Sequence, residues 1–224
     1  MKFLRSLPKI LLYAVIGIHA FVITAGLLFF VYCIFFDPPA SSLELQRKLF
    51  YGHKIEKKIF VEYEKIPERV KIMTVMSEDG TFRDHWGFDF NAITEAVEKN
   101  LRSKKVRVGG STISQQLVKT MLLFPGRSFI RKYFEAILTF EMELILSKNR
   151  IMELYLNYIE FGRGIFGIGT ASKVYFKKDL SALTKEETAS LITIIPSPVR
   201  FTPSTFSRSK RMSSRYNYLL KKCY

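Results

Sequence analysis

From Ile10 to Phe36 the chain carries no Asp, Glu, Lys or Arg. As a helix this stretch would run roughly 40 Å, against about 30 Å for the hydrocarbon core of a bilayer. One tilted membrane span is predicted, ended by Asp37-Pro38-Pro39. A signal-peptide core is shorter, about 7–15 residues, and leads into a small-residue cleavage site, so the pattern reads as an uncleaved anchor. His19 within it reads as a tolerated passenger. Beyond the anchor the pattern changes to short helical periods. Val70, Met73 and Met76 share one face of a helix with Pro67 in its first turn, and Phe90, Ile93, Val97 and Leu101 share another. Ser111 is placed to cap a helix with the stripe Ile113, Leu117 and Met121, which Phe124-Pro125-Gly126 ends. A long helical stretch from Ser128 to Phe161 is interruptible near Ser147-Lys148-Asn149. The run from Phe161 to Gly169 is too rich in glycine for regular helix, and Ile59 to Tyr63 alternates weakly, as a short strand would. Thr184 and Glu187 form a capping box for a helix that Pro196-Ser197-Pro198 stops.

This pattern predicts a mainly α protein divided into a cytoplasmic N-terminus (1–9), a transmembrane helix (10–36), a linker (37–54), a main domain (55–205) and a basic tail (206–224), the tail being a last helix near the membrane. The loop from Arg102 to Gly110 is basic and rich in glycine. Positive charge stays in the cytoplasm, so Lys2, Arg5 and Lys9 orient residues 37–224 outward.

Charge changes the picture next. The chain has 35 Lys+Arg against 20 Asp+Glu, a formal net charge of +15, with 48% hydrophobic residues. The apolar fraction excludes a disordered polycation. Setting aside the three N-terminal basic residues leaves 32 against 20, or +12, on the outward part. Topology disfavours nucleic acid there, and anionic or phosphorylated lipids become the natural partners. Two cysteines, Cys33 and Cys223, form no disulfide framework, and the three scattered histidines offer no zinc spacing.

Three constellations can carry chemistry. Glu78-Asp79 with Phe82, His85 and Trp86 sets carboxylates beside aromatic rings at a helix end, where desolvation would raise a carboxylate toward a useful base; a solvated helix terminus is the bland alternative. Gly109-Gly110-Ser111-Thr112, with Gln115, Gln116 and Lys119, opens a helix whose free N–H groups suit an anion, although an ordinary capped amphipathic helix has the same pattern. Arg127, Arg131 and Lys132 with Glu135 make either a surface ion pair or a phosphate clamp beside a second carboxylate.

Taken in order, these stretches resemble the family 51 glycosyltransferases, which polymerise lipid II into peptidoglycan. The matching residues are Glu78 to Gly87, Gly109 to Lys119, Arg131 to Glu135, Ser147 to Asn157 with Tyr175-Phe176, Leu183 to Glu187 and Pro196 to Pro198. The resemblance spans residues 55–205. It departs at Gly169, where the family usually has Glu, and at Phe124-Pro125-Gly126. No transpeptidase domain follows before Tyr224, so a monofunctional enzyme is expected.

The resemblance implies a lysozyme-like fold of two lobes, head and jaw, on one membrane helix. It implies that Glu78 deprotonates the acceptor 4-hydroxyl, that Glu135 orients the cations or the donor, and that Lys119, Arg127, Arg131 and Lys132 stabilise departing pyrophosphate. Ser111, Thr112, Gln115 and Gln116 would bind sugar or phosphate, and Asp79, Phe82 and His85 would complete the substrate site. No protein ligand set for a metal is evident, although Mg²⁺ or Mn²⁺ assistance stays open. Expected partners are lipid II, the nascent glycan strand, the bacterial cytoplasmic membrane and other cell-wall synthesis proteins. Alternatives are a lysozyme-like glycan-cleaving enzyme, a non-enzymatic membrane scaffold of the cell-wall machinery, and a Ser111–His85 hydrolase.

Overall fold

The structure, a computed structural model, describes residues 2–103, 109–124, 126 and 128–223, with side chains from residue 9 onward. It is mainly α, as the periodicity predicts. Its helices are α1 (Lys2–Phe35), α2 (Ser42–Tyr51), α3 (Glu68–Glu78), α4 (Phe90–Ser103), α5 (Ile113–Leu122), α6 (Phe129–Ile145), α7 (Lys148–Tyr158), α8 (Ile168–Phe176), α9 (Lys185–Ile194) and α10 (Lys210–Lys222). A small antiparallel hairpin, β1 (Glu160–Gly162) with β2 (Ile165–Phe166), separates α7 from α8.

Helix α7 is the centre of the core: every residue from Ile151 to Tyr158 is buried. Ser147 caps it, accepting from the Arg150 N–H at 3.2 Å, which explains the break from α6. Its two buried polar side chains, Glu153 and Asn157, are both satisfied. Asn157 donates from Nδ2 to the Val61 carbonyl and accepts the Val61 N–H on Oδ1, each at 2.8 Å, and Glu153 accepts the Tyr63 N–H at 2.6 Å. These amide and carboxylate groups do what a neighbouring strand would do. The segment Ile59 to Val61 therefore runs without strand pairing, correcting the expectation of a short strand there.

Helix α5 packs between α6 and α7 through the predicted stripe Ile113, Leu117 and Met121, all buried. A buried carboxylate ties the three helices: Glu143 of α6 accepts from the Ser114 hydroxyl at 2.5 Å and from the Lys148 ammonium at 2.8 Å. Helices α3, α9 and α10 pack together on the other side. The basic segment beyond residue 205 is thus folded into the domain, with Met212 and Leu219 in its core. Cys33 and Cys223 are both buried and free.

The glycine-rich run is only partly non-helical, because α8 begins at Ile168 and takes in Gly169. A Cβ at Gly169 would stand 2.7 Å from the Ile59 carbonyl oxygen and 2.7 Å from Val61 Cγ2. The glycine is what lets segment 59–61 lie against α8. Gly169→Glu should therefore lower stability by about 1–3 kcal/mol or more through overpacking, read as a drop in the unfolding midpoint of the full chain in detergent.

Helix α1 contains 27 residues, Lys9–Phe35, long and apolar enough to cross a membrane, and most of that window is exposed in the protein alone. Its C-terminal carbonyls, which no helix can satisfy internally, are taken up by Arg150: Nε donates to Cys33 O at 2.8 Å and Nη2 to Phe36 O at 2.9 Å. Tyr158 donates from the core to the Pro38 carbonyl. The helix also lies along α6. Gly26 makes the approach close, since a Cβ there would meet Glu141 Oε2 at 2.3 Å.

Glu141 is 6% exposed and neither carboxyl oxygen has a hydrogen-bond partner. Burial pushes its pKa up from the ordinary 4.5. A raised acid favours the protonated folded state, so stability is full below about pH 4.5 and falls as pH rises through the folded value. Glu141→Gln should remove that loss, flattening the unfolding midpoint against pH between the two values.

Candidate functional site

Two cavities meet at Gly110 and Ser111. One, of about 160 Å³, is lined by Glu78, Asp79, Asp89, Gly109 and Thr112; the other, of about 250 Å³, by Ile93, Val97, Asn100, Gln115 and Lys132. Together they form a groove with a buried carboxylate at one end and a cation cluster at the other.

Glu78 is the last residue of α3, and its side chain is 7% exposed. One oxygen pairs with the Arg215 guanidinium of α10; the other accepts from Gln116 Nε2 at 3.1 Å. The buried Tyr155 hydroxyl donates to Gln116 Oε1 at 3.0 Å. Because a hydroxyl donated to Oε1 leaves Nε2 facing the other way, Tyr155 fixes the amide so that it donates to Glu78. Burial pushes the Glu78 pKa above its ordinary value, opposed by Arg215, the Gln116 hydrogen bond and Lys119, and assisted by Asp79. A carboxylate that is poorly solvated yet paired with a cation has opposing influences on its proton affinity, of which burial is the larger here.

At the other end Glu135 of α6 is 2% exposed. It accepts from Arg131 Nη1 at 2.6 Å and from Lys132 Nζ at 2.5 Å. Arg131 also donates from Nε to the Gly126 carbonyl at 2.9 Å. Lys119 of α5 lies within electrostatic range of Glu135, Arg131, Lys132 and Glu78. Although Lys119 as a residue is exposed, the protein around its ammonium pushes its pKa down, Glu135 pulls it up, and Arg131 and Lys132 push it down further. Arg131 and Lys132 thus pair with one carboxylate, with Lys119 in electrostatic range of all three. Arg127, expected to join them, lies outside the described residues.

Other expected site residues build the walls. Thr112, not Ser111, caps α5: its Oγ1 accepts the Gln115 N–H at 3.2 Å, and Gln115 Oε1 accepts the Thr112 N–H at 3.1 Å. The cap moves by one residue because the Thr112 hydroxyl also donates to the Gly87 carbonyl at 2.7 Å. Ser111 is left exposed at the junction of the two cavities. Asp79 is buried with both oxygens engaged, one by the Ile113 N–H and one by His85 Nε2, each at 2.9 Å. Its charge sits at the positive end of α5. Phe82 is fully buried, with the Lys148 ammonium 4.6 Å from its ring centroid. These three residues hold the turn after α3 to α5 and so fix the direction of Glu78. Among the described residues no hydrogen bond joins His85 to Ser111, as a hydrolase pair would require.

The residues read from sequence omitted Tyr155 and Arg215. Tyr155 lies inside the stretch Ser147 to Asn157 that carries part of the resemblance. Arg215 stands in a basic segment among many like charges, with nothing local to single it out. Among the described residues no group of His, Cys, Asp and Glu is arranged to hold a metal ion. Glu78 and Glu135 are paired with cations, while Asp79 is engaged by His85 and the Ile113 N–H and Asp89 by the Thr81 hydroxyl and the Ala92 N–H.

A buried carboxylate and a group of cations thus lie at the two ends of one groove. A family model for transglycosylases matches residues 46–224, and the chain belongs to that family. Its relatives include the biosynthetic peptidoglycan transglycosylase of Pseudomonas entomophila (strain L48), 38% identical over 205 residues that cover 90% of this chain and 83% of that protein. The protein of the same name from Shewanella oneidensis is 42% identical over 179 residues, covering 79% and 76%. That from Neisseria gonorrhoeae is 40% identical over 163 residues, covering 73% and 69%.

Proposed function

We propose that the chain is a peptidoglycan glycosyltransferase that polymerises lipid II into β-1,4 glycan strands. The observation that carries this reading is the groove itself, with Glu78 at one end and Glu135, Arg131, Lys132 and Lys119 at the other. The donor sugar is α-linked to a lipid pyrophosphate, so a β product requires one displacement with inversion. The acceptor 4-hydroxyl oxygen attacks the donor anomeric carbon, and its proton passes to Glu78. The bond to the pyrophosphate oxygen breaks, and the departing charge is met by Arg131, Lys132 and Lys119. Glu135 holds the first two cations in place. Ser111, which lines both cavities, would contact sugar or phosphate.

Helix α1 serves as the membrane anchor, with Lys2, Arg5 and Lys9 on the cytoplasmic side and the catalytic domain outside. That arrangement presents the groove to a lipid-borne substrate. The direct test supplies lipid II to the full chain in detergent, with and without Mg²⁺ or Mn²⁺. Polymer with release of undecaprenyl pyrophosphate is expected. Fragments released from preformed glycan, with no polymer from lipid II, would overturn it in favour of a cleaving enzyme.

A further inference from the structure

Helix α10 carries charge that the rest of the chain does not balance. From Arg208 to Lys222 there are six basic residues and no acidic one. Among the described residues the only ion pair this segment makes is Arg215 with Glu78. Elsewhere on the surface the cations are interleaved with acids, as Lys99 is with Glu95 and Lys71 with Glu68. The charge on α10 is also sorted. The helix buries Met212 and Leu219 where it packs on α3 and α9. At 3.6 residues per turn, Arg211, Arg215, Tyr218 and Lys222 fall within roughly 60° of one another, in a strip about 16 Å long beside that buried stripe. Arg211 and Lys222 are exposed, and Tyr218 is 48% exposed.

Arg215 joins this strip to the groove. Its guanidinium reaches the Glu78 carboxylate while its side chain is still 22% exposed, and its Nε has no hydrogen-bond partner. A line of cations with a tyrosine among them, meeting the groove at the base, suits an acidic chain that leaves the groove beside Glu78. Lipid II has such a chain: a short peptide on its muramyl sugar, with free carboxylates. With the acceptor hydroxyl at Glu78, the peptide of the acceptor emerges next to Arg215. A lipid surface fits less well, because the anchor helix lies along α6, whereas α10 packs on α3 and α9.

We propose that Arg211, Tyr218 and Lys222 of α10 bind the acidic peptide of the acceptor substrate, with Arg215 between them and the base. The cations take the peptide carboxylates, and the Tyr218 ring packs against the peptide beside them. The proposal rests on the transferase reading for the identity of the acceptor. It adds a determinant of specificity outside the sugar and the pyrophosphate. Exposed ion pairs are individually weak and screened by salt, so the effect is moderate and falls on KM.

The test compares steady-state polymerisation by the full chain in phosphatidylcholine nanodiscs, using lipid II and lipid II whose peptide carboxylates are amidated. Wild-type KM should be lower for the acidic substrate at equal kcat, and high salt should remove the difference. The double variant Arg211→Glu with Lys222→Glu should raise KM for ordinary lipid II by about three- to tenfold and leave KM for the amidated substrate and both kcat values near wild type. Arg211→Gln with Lys222→Gln should lie between. The two substrates on the wild type decide the matter should the variants misfold. Equal wild-type KM for both substrates, or an equal loss with both in the charge-reversed variant, would overturn the proposal. So would a KM that falls when phosphatidylglycerol replaces phosphatidylcholine, through Arg211 and Lys222 and regardless of amidation, which would make the strip a lipid contact. Binding of lipid II that weakens on amidation, without polymer, would count against the transferase reading alone, and polymerisation indifferent to amidation against the peptide strip alone.

Discussion

Glu78→Gln should lower polymerisation of lipid II by about 10²–10⁴-fold, the usual contribution of a general base. Glutamine keeps the size of the side chain and an oxygen for Arg215, and gives up the hydrogen bond from Gln116, whose Nε2 would face the new amide nitrogen. The lost property is the ability to take a proton from the acceptor hydroxyl. The loss should fall on turnover, while binding of undecaprenyl pyrophosphate, which depends on the cations of α5 and α6, stays near the wild-type level. The wild-type rate should also fall on acidification from a pH above the ordinary carboxylate range, because burial has raised the Glu78 pKa and the base is lost as pH drops through that raised value. The measurement is initial rate against pH for both proteins, with the unfolding midpoint as a control. Polymer from the variant at the wild-type rate would remove Glu78 from the role of base.

The parts of this molecule legible in the sequence are those decided by neighbours in the chain. Ile113, Leu117 and Met121 announce a buried helix face because spacing along one helix is local information. The capping box of Thr184 and Glu187 is equally local, and the structure shows both of its hydrogen bonds. Helix α4 marks the boundary of that information. Phe90, Val97 and Leu101 do share a face, yet they are 74%, 52% and 72% exposed. Periodicity reports that a face is apolar and is silent on whether core, lipid or substrate covers it. Val97 lines the groove, which the spacing alone does not reveal.

What the sequence could not show depends on partners far along the chain. The segment at Ile59 to Val61 is held extended by Asn157 and by Thr170, whose hydroxyl accepts the Ile59 N–H at 2.9 Å. Neither contact leaves a mark on the alternation of the segment itself. Gly169 reads as a missing carboxylate until its surroundings show that no side chain fits there. Of the site, Glu78 and the group Arg131, Lys132 and Glu135 were readable, the latter because i,i+3 and i,i+4 spacing makes contact on a helix predictable. Phe82, Asp79 and His85 were readable as a motif, but their place in the scaffold is set by Lys148 and the first turn of α5.

Arg215 is 137 residues from Glu78, and only the packing of α10 on α3 and α9 brings them together. Its contact with the carboxylate gives the second large prediction. Arg215 is the strongest of the influences that hold the Glu78 pKa down against burial. Arg215→Ala should leave only the Gln116 hydrogen bond and Lys119 to oppose burial, so the base becomes protonated at a higher pH than in the wild type. The rate at neutral pH should then fall by some ten- to hundredfold of the ~10²–10⁴-fold that a general base supplies. The acid limb of the rate profile should move to higher pH, and raising the pH should recover activity. Arg215→Lys keeps the charge and loses the planar fork, so its profile should lie between the two. A purely structural Arg215 would lower the unfolding midpoint without moving the acid limb, and superimposable pH profiles for wild type and Arg215→Ala would end its assignment as the positioning residue of the base. The charge that holds the base down would then have to come from Lys119, since Gln116, the other contact of Glu78, carries none.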